Sequence, residues 1–86
     1  MGQRLDKWLV YARFAKHRST AAELIETGKV RINRERVYKC SQTVKAGDVL
    51  TIAVGAHIRV AKILAEAERR GSASVASQLY QDMTPS

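Results

Sequence analysis

One cysteine, Cys40, and two histidines, His17 and His57, are the residues of this 86-residue chain whose types could support nucleophilic catalysis or metal binding. A thiolate beside an imidazole makes a nucleophile and its base. The positions 17, 40 and 57 show no paired-ligand spacing, however, and no oxyanion-donor motif, phosphate-cradling glycine loop or dinucleotide fingerprint accompanies them. Asp48 follows Gly47 as a turn residue rather than as half of a carboxylate pair. The expectation is therefore no catalytic residue, no cofactor and no metal.

The chemistry that the spacing does favour is anion binding. Arg13, Lys16, His17 and Arg18 crowd into six positions, where guanidinium forks and an ammonium group can straddle phosphates. Ser19 can offer its hydroxyl to a phosphate or cap a helix, and a helix N-terminus attracts anions through its free amides. Lys29, Arg31 and Asn33 extend the track if they face the same side, and Lys39 and Lys7 are counted with it. Arg4 divides between this role and pairing with Asp6, whose carboxylate suits a first helical turn. The bland alternative is a solvated basic surface.

Charge distribution supports the sharper reading. The chain carries 15 Lys and Arg against 8 Asp and Glu, a net +7. Residues 1–45 hold 11 basic and 4 acidic residues, and residues 46–86 hold 4 of each, so the whole excess lies in the first half. A one-sided positive field draws polyanions, either nucleic acid or an anionic membrane. No apolar run approaches the ~18 residues of a membrane span. The N-terminus lacks an apolar signal core and the full myristoylation pattern. One cysteine permits no intrachain disulfide, and a reducing cytoplasm is expected.

Elements must hold these side chains in place. With 45% hydrophobic and 27% charged residues, the composition is that of one small folded domain over residues 1–86. Leu5, Trp8, Leu9 and Ala12 form a helical stripe, predicting a helix over residues 4–15 with Trp8 in the core. Tyr11 and Phe14 fall at its border, read as edge packing, with base stacking as the alternative. A second helix starts near Ser19 or Thr20, with Thr20 and Glu23 spaced as a capping box, and stops at Gly28.

Alternation then predicts a strand around Val30 and Ile32, a short return strand from Val37, a restart near Val44, a strand over 49–54, and a further strand from His57 that ends or bulges where the phase slips at Ile63-Leu64. Turns fall at Asn33-Arg34-Glu35, Ala46-Gly47-Asp48 and Gly55-Ala56. A last amphipathic segment, about 74–81, reads as a short helix capped by Ser72 or Ser74, with Val75, Ala76, Leu79 and Tyr80 on one side. The fold class is α+β: two N-terminal helices on a small, mainly antiparallel sheet of about four to five strands, and a short C-terminal helix.

In order and spacing, Arg4-Leu5-Asp6-Lys7-Trp8-Leu9, Arg18-Ser19, Gly28-Lys29-Val30-Arg31-Ile32-Asn33, Val37, and Val44 before Gly47-Asp48 resemble the S4 RNA-binding domain over about residues 4–54. Arg69-Arg70-Gly71, Ala76 and Leu79-Tyr80 make the whole chain similar to the bacterial heat shock protein 15 family. That resemblance implies an S4-like (alpha-L) fold with the extra strand and C-terminal helix over about 56–82. It also implies a non-enzymatic protein that binds structured ribosomal RNA and the large ribosomal subunit, with tRNA as a further partner, in rescue of stalled subunits carrying a nascent chain under heat stress; a monomer is expected, although the sequence itself does not give the oligomeric state. A general DNA-binding regulator is the competing function, because two short helices and a tight corner suit duplex DNA as well. Two departures stand out. Asn33-Arg34 replaces the family's Asn-Gly in the hairpin, which predicts a different turn without positive φ at arginine. The chain also ends at Ser86, where family members often carry a longer basic extension.

Overall fold

The computed structural model describes residues 2–85. Leu5, Trp8 and Leu9 recur at helical spacing, form α1 (Leu5–Tyr11) and are fully buried. The helix ends at Tyr11, short of the Ala15 expected from periodicity. The reason is Arg13, whose backbone is left-handed at φ 66°. The Arg13 and Phe14 amides donate back to the Val10 and Leu9 carbonyls at 3.0 and 2.9 Å. This is the closing pattern that glycine commonly supplies just past a helix end. Phe14 folds back to stack on Trp8, ring centroids 5.9 Å apart.

The second helix, α2 (Arg18–Glu26), ends the same way, here with glycine: Gly28 has φ 76°, and the Gly28 and Lys29 amides donate to Ile25 and Leu24 at 3.0 Å each. Its start corrects the expectation. His17 is the extended residue before the helix, with no side-chain cap, so Ser19 and Thr20 lie inside the first turn and the Thr20–Glu23 capping box does not form. Arg18 becomes the first helical residue, its guanidinium drawn to Asp6 at 3.0 Å.

Among the described residues seven strands follow in chain order: β1 (Gln3–Arg4), β2 (Val30–Ile32), β3 (Glu35–Arg36), β4 (Thr43–Val44), β5 (Val49–Val54), β6 (His57–Ile63) and β7 (Tyr80–Asp82). The main sheet runs β3-β2-β5-β6-β7, with every neighbouring pair antiparallel. Strands β1 and β4 form a separate two-stranded pair, so Val44 leaves the main sheet. The pair is too short for any alternation to reveal it.

Period-two alternation sends Val30, Leu50, Ile52 and Ile63 onto one face, where they pack against Leu5, Trp8, Leu9 and Ile25 of the helices. Each such side chain contributes about 1.5–3 kcal/mol on burial. The Trp8 indole N–H donates to the Ala65 carbonyl at 3.0 Å, so the largest core residue leaves no polar atom stranded. Arg31, Thr51 and Val60, paired in register across three strands, occupy the opposite face.

Two further expectations are overturned. The β2–β3 turn has positive φ at both Asn33 (50°) and Arg34 (79°), so it is the mirror-image two-residue turn that usually takes Asn-Gly. Arginine tolerates glycine's place because Asn33 is held from outside: its Nδ2 donates to Asp48 Oδ1 at 3.0 Å, and its Oδ1 accepts the Val49 amide at 2.9 Å. The return strand therefore begins at Glu35, ahead of Val37. Near the C-terminus, the expected helix shrinks to the single turn α3 (Ala73–Ala76), with Ser72 Oγ accepting the Val75 amide at 3.2 Å. Tyr80–Asp82 instead joins β6, an edge whose unpaired amides and carbonyls bind a strand more strongly than a surface helix turn. Val75 is consequently exposed, while Ala76 and Leu79 are buried.

Candidate nucleic-acid interface

Asp6 organises the basic corner. It lies in the first turn of α1, is 3% exposed, and receives Arg4 Nε at 3.2 Å, Arg4 Nη2 at 3.1 Å, Arg18 Nη2 at 3.0 Å and the Lys7 amide at 2.8 Å. Burial opposes its ionisation, but the hydrogen bonds from Arg4, Arg18 and the Lys7 amide overcome that and hold its carboxyl below its usual range. One buried anion thus fixes two arginines whose side chains remain about half exposed, 45% for Arg4 and 52% for Arg18. The expected Arg4–Asp6 pairing is present, and Arg18 joins it.

Arg13 stands on the left-handed residue that closes α1, and its Nη1 donates to the Gly71 carbonyl at 3.0 Å. Lys16, His17 and Ser19 are exposed on the short connection and the first turn of α2, and Lys7 is half-buried on α1. The α2 amino end, which follows Lys16 and His17 directly, carries no side-chain cap. Arg4, Lys7, Arg13, Lys16, His17, Arg18 and Ser19 therefore belong to the helical side of the molecule.

The remaining candidates lie elsewhere, which corrects the expectation of one continuous track. Arg31 alternates with buried Val30 and points away from the helices, directly across from Arg36 of β3. Lys29 joins these two around a hollow of about 210 Å³ that also touches Thr51 and Ile58. Asn33, exposed at the hairpin turn, spends its side-chain amide on Asp48 and Val49. Lys39 is exposed in the irregular stretch after β3. Sequence reasoning missed Arg36, although the return of a two-residue hairpin brings cross-strand neighbours together and could have paired it with Arg31.

It also missed Arg59, whose guanidinium carbon sits 5.0 Å over the Phe14 ring centroid and whose Nη2 is 3.6 Å from Asp82. A charged residue on the inward phase of β6 was the available signal. Cys40 lies against α2, its Sγ 3.5 Å from Glu26 Oε2. Burial and then the Glu26 carboxylate push its thiol up, the reverse of what activates a nucleophile. Among the described residues no group of three His, Cys, Asp or Glu is placed to hold a metal, and no helix is long and apolar enough to cross a membrane.

A basic helical corner on an α+β fold of this topology defines a class, and the S4 domain model matches residues 3–50. The chain belongs to the S4 domain family, with its counterparts among the heat shock protein 15 proteins. It is 44% identical over 79 residues to the heat shock protein 15 homolog of Haemophilus influenzae, covering 92% of this chain and 60% of that protein. It is 43% identical over 83 residues to heat shock protein 15 of Escherichia coli, covering 96% and 62%. The chain thus spans about three-fifths of the length of these curated relatives. The RQC P-site tRNA stabilizing factor of Listeria innocua is 36% identical over 77 residues, covering 90% of this chain and 82% of that protein. A solved structure described as trimeric Vibrio cholerae heat shock protein 15 superposes with a TM-score of 0.89 at 38% identity, covering 96% of this chain and 83% of that one.

Proposed function

We propose that this protein binds structured ribosomal RNA on the large ribosomal subunit, without catalysis, through the helical corner. The observation that carries the reading is the Asp6 bridge, which presents Arg4 and Arg18 as fixed, half-exposed guanidinium groups, with Arg13, Lys16 and His17 within five residues of Arg18 in the chain. Rigid forks of this kind suit phosphates held at defined spacing, and structured RNA is recognised largely by shape and backbone. The uncapped amino end of α2 adds backbone donors, and Ser19 in its first turn adds a hydroxyl. Lys29, Arg31 and Arg36 make a secondary contact on the other face, with Lys39 beside the hairpin.

Relatives named heat shock protein 15 and RQC P-site tRNA stabilizing factor support the finer role: rescue of stalled large subunits that still carry a nascent chain, with tRNA as a partner, under heat stress. The test is fluorescence anisotropy of the labelled protein against purified large subunits at near-physiological salt, with bulk tRNA or duplex DNA in excess. Binding that survives both competitors, and tightens on tRNA-loaded subunits, is expected. Loss to duplex DNA at equal phosphate would make the protein a general nucleic-acid binder. With about four to six phosphate contacts, log affinity should fall against log salt with a slope of about −3 to −5.

A further inference from the structure

Beside the corner lies a cleft of about 230 Å³ lined by Arg13, Phe14, Val54, His57 and Arg59. It is smaller than the ~300–1,000 Å³ clefts that swallow whole drug-sized ligands, and its size suits one heterocycle. Phe14 and the half-exposed Val54 are its apolar part. The Arg59 guanidinium lies over the Phe14 ring, itself stacked on Trp8 and 4.8 Å from Tyr80, so the wall is the end of an aromatic column rooted in the core. Asp82 forms an ion pair with Arg59 at 3.6 Å and the Gly71 carbonyl takes one donor of Arg13, which leaves donors free on both groups.

We infer that this cleft receives a single unpaired nucleotide of a structured RNA, its base stacked on the Arg59 plane that Phe14 supports, beside Val54, and its phosphate on Arg13 and His57. Two guanidinium groups and an imidazole around an apolar, π-faced wall match the two halves of a nucleotide, because bases stack on aromatic rings and guanidinium planes while phosphates need donors. A fully paired helix has no base free to enter. The inference rests on the RNA-binding reading above and adds to it a preference for RNA with an extruded base.

The test uses the full chain and two RNA hairpins of the same sequence, one with a single bulged 2-aminopurine and one in which that base is paired. Anisotropy should give about tenfold tighter binding to the bulged hairpin, the size of one stacked base, and 2-aminopurine emission should change on binding. Arg59→Lys keeps the charge but removes the plane. It should cut the preference below about threefold while leaving affinity for the paired hairpin unchanged. Phe14→Leu should do the same; because Phe14 also packs on Trp8 and Tyr80, Arg59→Lys keeps the idea open to refutation if that variant does not fold. Equal binding of both hairpins, or an undiminished preference in Arg59→Lys, would overturn the inference and leave RNA binding standing. Displacement of the bulged hairpin by an equal concentration of free mononucleotide would overturn RNA as the source of the base. Failure to bind either hairpin would remove both readings.

Discussion

The helical corner and the β2–β3 hairpin each place an arginine where backbone geometry asks for glycine. Arg13 closes α1 at φ 66°, and Arg34 completes the hairpin turn at φ 79°. Glycine does serve at the third such position, Gly28, which closes α2 by the same hydrogen-bond pattern as Arg13. A left-handed L-residue costs about 1–2 kcal/mol. At the hairpin, Asn33, Asp48 and the Val49 amide hold the turn shut. At the corner, the Trp8–Phe14 stack and the Gly71 carbonyl do so, and the Arg13 side chain lines the Phe14 cleft. The difference teaches that the same left-handed backbone can be held in two ways, by hydrogen bonds across the turn at Arg34 and by aromatic packing with the Gly71 carbonyl at Arg13, and only the second falls at the proposed site.

The largest effect should come from dismantling the corner's anchor. Asp6→Asn is expected to destabilise the fold by about 2 kcal/mol, because charge-assisted hydrogen bonds to a buried carboxylate are lost, as read by urea denaturation. The same group makes stability pH-dependent. Its folded-state pKa lies below the ordinary value of 3.8, so its contribution is fully present above that value and disappears as the pH falls through the lower, folded-state one. Acid unfolding monitored by circular dichroism should lose that component in Asp6→Asn. If the variant and the wild-type chain lose stability in parallel below the ordinary value, the bridge does not organise the corner.

Gly28→Ala tests the glycine-closed helix end. Left-handed backbone and a new Cβ 3.0 Å from Tyr38 Cε1 and 3.1 Å from Arg36 Cδ should together lower stability by about 1–2 kcal/mol, measured by thermal melting. No change would mean that the α2 end relaxes freely and that the likeness to the α1 end is superficial.

Arg13→Gly and Arg34→Gly then sharpen the contrast. Both should raise stability, each by up to about 1 kcal/mol, since glycine takes positive φ without the Cβ penalty. Only the corner variant should weaken RNA binding strongly, flattening the slope of log affinity against log salt by about 0.8, the release from one phosphate contact. Arg34→Gly should change it by half of that or less. Equal slopes in the two variants would erase the functional distinction between the regions.

Much of this molecule was legible from local pattern. Leu5, Trp8 and Leu9 announced α1 and its core face, Gly28 announced the end of α2, and alternation announced the strands around Val30 and Ile32, over 49–54 and from His57, the last ending at Ile63 where the pattern slips. These features depend on neighbours within a turn or two residues, where sequence spacing is physical spacing. The basic corner was legible too, because Arg13 to Arg18 cannot separate far along so short a connection.

What the sequence by itself determined is therefore the α+β order, the buried stripe and a positive first half. Only the tertiary structure decided that Arg31 turns its back on the helices, that Arg4 and Arg18 meet on one carboxylate, and that Tyr80–Asp82 becomes an edge strand. It also decided that Arg13 and Arg34 adopt glycine's geometry and that Arg59 lies over Phe14. Each of these depends on groups distant in sequence supplying hydrogen bonds or packing that outweigh a local preference of about 1–2 kcal/mol, and no local window contains those partners.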